Sequence, residues 1–353
     1  MRSGVHSRAT GVLTRMRTTA ASLSLAVALL FGLCAGVCAA GQTPAAADVT
    51  VTFREWKLPT PGSHPHDPLA AADGSIWYTG QMASTLGRID PRTGSITEFH
   101  TTTPDSGPHG LVADRDGNVW FTAVFKAYIG KLDPRTGTIT EYRLPDRNAT
   151  DPHTPVFDQS GALWFTVLGA DMVGRLDPET GKVTLLHVPT PHAAPYGIAV
   201  NAQGIPFFAE FGANKLASVD PTTLTIREYV LPDRESRPRR IAIAGDGAIW
   251  FTDYPRGELG RLDPATGAVQ EWPSPGGAES EPYGIAIARG DVWYSESGVH
   301  PNTLVRFSPA TGRFQVWKIP SGGGVVRNMM ATRDGNLVLA CSGVNQVDLV
   351  EVH

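Results

Sequence analysis

Pro108-His-Gly-Leu-Val-Ala-Asp-Arg-Asp-Gly-Asn-Val-Trp-Phe-Thr-Ala-Val-Phe-Lys-Ala-Tyr-Ile-Gly-Lys-Leu-Asp-Pro-Arg-Thr-Gly-Thr-Ile-Thr-Glu-Tyr142 decides how this chain folds. It holds four short runs rich in Val, Ile, Thr and aromatics: Gly110 to Asp114, Val119 to Thr122, Ile129 to Leu132 and Ile139 to Tyr142. Tight-turn residues separate them, which is the pattern of four strands joined by hairpins. The Asp133-Pro-Arg-Thr-Gly137 segment supplies a Pro for the first corner of a type I turn and a Gly for the left-handed position after it.

The layout recurs. A Gly followed three positions later by a large apolar residue appears at Gly74/Trp77, Gly117/Trp120, Gly161/Trp164, Gly204/Phe207, Gly247/Trp250, Gly290/Trp293 and Gly335/Val338, with 43 positions from Gly74 to Gly117. The Asp-Pro turn returns at Asp90 to Gly94, Asp177 to Gly181 and Asp263 to Gly267; Asp220 to Leu224 lacks the Gly and Ser308 to Gly312 lacks the Asp. Such a period means a propeller, solenoid or array, and the WD40 and kelch signatures are absent. The chain ends on Val347-Asp-Leu-Val-Glu-Val-His353, a third strand of the seventh unit, while Val51-Thr-Phe-Arg-Glu-Trp-Lys-Leu58 precedes the first complete unit and resembles a fourth. Pairing the two closes the ring and removes open edges. The expectation is an all-β, seven-bladed propeller of four-stranded blades over residues 50–353.

Arg2, Arg8, Arg15 and Arg17 precede an apolar run from about Ala20 to Val37, and Cys38-Ala39-Ala40 follows. Residues 1–40 thus read as a signal peptide cleaved near Ala40, residues 41–49 as a flexible spacer, and the product as secreted or periplasmic. Loss of four arginines leaves 26 basic residues against 34 acidic ones, a net −8. Without a basic stripe this excludes nucleic-acid binding. No membrane contact beyond the leader is expected, and the propeller is expected to be a monomer. The mature chain keeps only Cys341, read as a buried apolar residue.

In a four-stranded blade, one face of the disc collects the start of the first strand and the end of the second. The strand starts carry His66, His109, His153, Tyr196, Arg239, Tyr283 and Arg327, hydrogen-bonding types that read as a funnel lining for a small molecule or cyclic peptide. The second-strand ends are Gly80, Ala123, Val167, Glu210, Asp253, Glu296 and Cys341. Three carboxylates in consecutive blades either shift one another's pKa, pair with Arg239, or hold a hard cation such as Mg²⁺ or Ca²⁺. The Trp positions read as packing between blades, and Arg88, Lys131, Arg175 and Arg261 as solvated strand residues.

Pro-His-Gly, Asp-Gly-x-x-Trp-Phe-Thr, Ile-Gly-Lys/Arg-Leu-Asp and Ile-Thr-Glu-Tyr together resemble the virginiamycin B lyase (streptogramin lyase) family of seven-bladed propellers over the whole mature chain. The resemblance implies a lyase that opens streptogramin B depsipeptides by C–O elimination, with a His removing the proton alpha to the ester carbonyl and Mg²⁺ polarising that carbonyl. It implies Glu281 and Glu296 as metal ligands. Tyr283 stands where the family's catalytic His stands, and Arg239 where a second active-site His is expected. Asp151-Pro152-His153, with His109 next door, repeats the acid-x-His spacing in the third unit. Two further readings stay open: a binding propeller that holds its ligand without turning it over, and a metal-dependent hydrolase of the lactonase type.

Overall fold

The computed structural model describes residues 48–353; the expected leader and nearly all of the spacer lie outside them. The chain forms seven antiparallel sheets of four strands each. Their inner strands are Pro65–Ala70, Pro108–Ala113, Pro152–Phe157, Pro195–Val200, Pro238–Ile243, Pro282–Ala288 and Val326–Ala331, which number blades 1 to 7 below. The ring closes as the sequence implies. Val51–Lys57 pairs with Gln346–Val352, from Val51 opposite Val352 to Lys57 opposite Gln346, and forms the outer strand of blade 7. No helix among the described residues is long and apolar enough to cross a membrane.

The hairpins behave as their residues require. In the Asp133 turn the Gly137 N–H donates to the Asp133 carbonyl at 2.8 Å, the Asp133 carboxylate accepts from the Arg135 N–H at 2.9 Å, and Gly137 has φ +73°. Where blade 4 lost that Gly, Leu224 takes the left-handed conformation instead, at φ +59°, and keeps the same bond to Asp220 at 2.8 Å. The turn therefore survives, at a cost of about 1–2 kcal/mol for a residue with a Cβ.

Each hydrophobic cluster straddles one blade boundary. Trp77 packs with Val119 and Phe121 of blade 2, Trp120 with Leu163 and Phe165 of blade 3, and Trp164 with Phe208 and Val219 of blade 4. Phe207 meets Phe251, Trp250 meets Tyr294, and Trp293 meets Leu337 and Leu339. Val338 meets Ile76 and Tyr78, completing the circle. The Trp rings also stack on the outer strand of their own blade, as in Trp120 on Tyr142 at 5.3 Å and Trp293 on Trp317 at 5.5 Å. Three of the four basic residues read as solvated lie across these rings, Lys131 over Trp120 at 5.3 Å, Arg88 over Trp77 at 5.8 Å and Arg175 over Trp164 at 5.7 Å, while Arg261 pairs with Asp246 at 3.1 Å. The alkyl stems and charge of the first three cover the outer face of the core.

Two devices set the inner ring. Every inner strand carries one extra residue against its neighbour just after its first position, for example between Pro65 and Pro68, Pro108 and Leu111, and Pro238 and Ile241. A bulge of this kind re-aims side chains. The second device is the Thr of Trp-Phe-Thr. Thr122 accepts from the Gly110 N–H at 2.8 Å and donates to the His153 carbonyl of the next blade at 2.6 Å. Thr79 ties His109 at 2.9 Å, Thr166 ties Tyr196 at 2.6 Å and Thr252 ties Tyr283 at 3.0 Å. The backbone under His109, His153, Tyr196 and Tyr283 is thus pinned from the preceding blade.

Candidate functional site at the mouth of the axial funnel

The inner-strand starts converge as expected. His66 and His109 lie 3.5 Å apart between ring centroids, His109 and His153 3.8 Å, and His153 and Tyr196 4.0 Å. Tyr196 and Tyr283 share a hydroxyl–hydroxyl hydrogen bond of 2.5 Å. A pocket of about 320 Å³ opens over this row, lined by His66, His109, His153, Tyr196, Asp151 and Arg327, with Gln81, Val124, Phe125 and Thr150 on its rim. Phe125 is 54% exposed there. Wider polar clefts, about 580 and 620 Å³, open elsewhere around recurring hairpin residues such as Asp73, Arg88 and Asp90, or Asp133 and Arg135; they follow the repeat and gather no histidine.

Burial lowers the pKa of all three funnel histidines, and Arg240 pushes each lower still. The imidazoles are therefore neutral at physiological pH. Burial also raises the Asp151 carboxyl to about 6. Tyr196 is raised as well, by burial and then by its partner Tyr283.

Beneath this ring is a second one, which sequence reasoning missed. Asp67, buried to 2% exposure, accepts from His66 Nδ1 at 2.9 Å, from Asn328 at 3.0 Å and from both terminal nitrogens of Arg240 at 2.7 and 3.3 Å. Arg240 also reaches Thr154 at 3.1 Å. This network spans the axial hole from blade 1 to blade 5. The bulges make it possible: in a regular strand Asp67 and Arg240 would turn away from their predecessors His66 and Arg239. A signal did exist, since the equivalent positions in blades 2, 4 and 6 are Gly110, Gly197 and Gly284, and charged residues there break the rule.

Because Asp67 can only accept, it holds the proton on His66 Nδ1 and leaves Nε2 as the basic nitrogen. His66, Asp67 and His109 are also the one group of at least three metal-ligand residues, among those described, whose donor atoms lie within 4.8 Å of one another. The carboxylate's charge is already matched by Arg240, so the group offers a cation no net negative charge.

The acidic trio sits at one height, as read. Glu210, Asp253 and Glu296 lie opposite Pro195, Pro238 and Pro282. All three are buried, and none lines the pocket. Asp253 pairs with Arg256 at 3.0 Å and accepts from the Arg237 N–H at 2.9 Å. Arg256, rather than Arg239, is thus its counter-ion. Glu296 accepts from Ser274 at 2.6 Å, the Gly276 N–H at 2.6 Å and Thr303, so three of a carboxylate's roughly four acceptor positions are used. Glu281 accepts from the Tyr254 hydroxyl at 2.6 Å. These two carboxylates, one sealed in its blade and both hydrogen-bonded, do not fit Mg²⁺, which asks for an open, near-octahedral oxygen set. Glu210 has neither oxygen hydrogen-bonded, and burial, followed by the nearby Glu228, raises its pKa to about 8.

Arg239 lies among aromatic rings, its guanidinium carbon 3.8 Å from the Tyr283 centroid, 4.2 Å from Tyr254, 4.9 Å from Phe211 and 5.0 Å from Tyr196. Arg327 donates to Ser342 at 3.1 Å and meets His64 Nε2 at 3.2 Å.

No curated protein sequence matches the chain. Among solved structures, a streptogramin B lyase is 26% identical, superposes with a TM-score of 0.79, and is matched over 86% of this chain and 98% of its own. A virginiamycin B lyase from Staphylococcus aureus is similar in fold, at 23% identity and a TM-score of 0.78 over 85% of this chain and 99% of that one. A catalytically inactive form of that enzyme with quinupristin gives 22% and 0.77 over 85% and 99%. Residues 40–297 match the Virginiamycin B lyase family, which covers well over half of the chain. By that match, and by its seven four-stranded blades, this chain belongs to the virginiamycin B lyase family.

Proposed function

We propose that this protein is a carbon–oxygen lyase that opens the ester ring of a cyclic peptide, with His66 as the base. The observation that carries the reading is the His66–Asp67 pair, 2.9 Å long, beneath a pocket that His66 itself lines. A neutral imidazole whose Nδ1–H is held by a carboxylate presents a basic Nε2, the arrangement that general-base catalysis needs. His66 Nε2 takes the proton from the carbon next to the one that bears the ester oxygen, and the resulting electron pair forms the new C=C bond as the alkyl C–O bond breaks and the ester group leaves as a carboxylate. Arg327, in the same lining, is the donor for charge that develops on the carbonyl oxygen. Asp67 and Arg240 touch no substrate; they position the base. Family membership supports the substrate class, a depsipeptide of the streptogramin B type, and Phe125 on the rim offers its side chains an apolar contact.

The test is incubation with a streptogramin B depsipeptide followed by mass spectrometry. Elimination gives a linear product of unchanged mass, and His66→Ala lowers its rate about 10²–10⁴-fold with the fold intact by circular dichroism. A product heavier by one water would identify a hydrolase. Full activity in the His66→Ala protein, or no opening of any depsipeptide, would overturn the assignment.

A further inference from the structure

Consecutive residues of blade 5 carry two guanidinium groups with opposite surroundings. Arg240 has a carboxylate partner, with both terminal nitrogens on Asp67, although its Nε, like that of Arg239, is buried without a hydrogen bond. Arg239 pairs with no carboxylate among the described residues: no ion pair within 4.0 Å includes it, and its Nε is buried with no hydrogen-bond partner. Four aromatic rings stand 3.8 to 5.0 Å from its guanidinium carbon. Such rings offset part of the loss of water by cation–π attraction, but they leave the charge in place and accept none of its N–H groups in their planes. A half-buried guanidinium with no carboxylate partner is suited to an anion, and its planar fork matches a carboxylate or similar oxyanion.

The neighbourhood is built for that charge. Tyr196 belongs both to the cage and to the lining of the funnel pocket, so Arg239 adjoins the pocket through that ring, while Arg327 adds a second cation to the lining. Glu281 has an oxygen on the hydroxyl of Tyr254, one of the caging rings, at 2.6 Å. The cage also explains why Arg239 is not simply drawn to the acidic trio, because Asp253, on the adjacent strand, is held by Arg256 at 3.0 Å.

We infer that Arg239 is an anion-recognition site: the funnel ligand carries a carboxylate, or another oxyanion of that geometry, which docks on the caged guanidinium without a divalent cation. The inference does not depend on the elimination reading, since docking can occur with or without ester opening.

Benzoate and its neutral isostere benzamide are the probes, titrated by calorimetry into the full mature protein with and without EDTA. Benzoate is expected to saturate and to bind at least tenfold more tightly than benzamide, with no change on chelation. Arg239→Gln is expected to lose at least tenfold in benzoate affinity while benzamide binding stays level. Arg239→Lys, which keeps the charge but not the fork, serves if the Gln variant does not fold and is expected to lose at least threefold. Equal binding of the two probes, benzoate binding that needs added Mg²⁺, undiminished affinity in the Arg239 variants, or a loss caused by Arg327→Gln instead would each overturn it.

Discussion

Replacing Arg240 with Gln tests the network that holds the base. Arg240 and Asp67 are 3% and 2% exposed and meet at 2.7 and 3.3 Å, so the substitution leaves a carboxylate in the channel with only His66 and Asn328 as donors. Removing one member of a buried pair costs about 3–5 kcal/mol, which for a domain of this size is a fall in Tm of roughly 6–10 °C. The double variant Asp67→Asn/Arg240→Gln removes both charges, and its destabilisation should fall short of the sum of the single variants by about 1–3 kcal/mol. The histidines report the same change. Their pKa values are lowered first by burial and next, for His66, by Arg240, so Arg240→Gln should move the His66 ring resonance upward in an NMR titration. The sign of the linkage follows: a histidine with a depressed folded pKa leaves stability intact above its unfolded value of about 6.5 and loses it as pH falls, by up to about 1.4 kcal/mol per unit. Arg240→Gln should make that acid-side loss shallower while lowering stability at pH 7. A cost below about 1 kcal/mol, strict additivity in the cycle, or histidine titrations that do not move would refute the reasoning.

Thr122→Val is isosteric but removes the tie between the Gly110 N–H and the His153 carbonyl; two buried groups left unpaired at about 1–3 kcal/mol each should lower the urea midpoint clearly, with no comparable effect from an exposed control such as Thr136→Val. Glu210→Gln should raise Tm, because a carboxyl lifted to about 8 makes the folded state lose stability as pH rises from about 4.5 to 8. That gain should be small at pH 5, grow to a few kcal/mol by pH 8 and then level off; a gain that does not vary with pH would show that Glu210 is ionised in the fold. Expression with the native leader should yield a protein whose sequence starts close to Gly41 outside the cytoplasm, and an uncleaved N-terminus would contradict the leader reading.

The ring itself was legible because propeller structure is written in repeated turn chemistry. Gly117, Pro134 and Gly137 demand particular backbone angles wherever they occur, and seven copies of the first with six of the turn, two of them degenerate, leave little choice of architecture. The heights of Glu210, Asp253 and Glu296 were legible for the same reason, since register follows from the repeat. Their direction was not. Whether a carboxylate faces the funnel or its own blade depends on partners such as Arg256, Ser274 and Thr303, which come from loops and neighbouring strands without a shared motif. Asp67 and Arg240 stayed hidden for another reason: period-two alternation points them away from the channel, and only a one-residue bulge, which no residue type marks, brings them back. Asp151 and His153 were read as a displaced copy of the acid-x-His spacing, and both do line the pocket.

Charge decides how this funnel differs from one built around a divalent ion. A cation of charge +2 placed about 5 Å from the Arg239 guanidinium would be repelled by roughly 6 kcal/mol even at an effective dielectric constant of about 20. The carboxylates that could offset this are committed elsewhere: Asp253 to Arg256, Asp67 to Arg240, and Glu296 to two hydroxyls and an amide. The positions that carry histidine in the resemblance carry Tyr283 and Arg239 here, and those two side chains are in contact at 3.8 Å. The substitutions therefore act together, one supplying a fixed cation and the other a ring face that accommodates it. On the opposite side of the channel His66 keeps a neutral imidazole and a carboxylate partner. In the proposed reaction the base on blade 1 works with Arg327 of blade 7, so that polarisation of the carbonyl is assigned to a side chain of the chain rather than to an ion captured from solution.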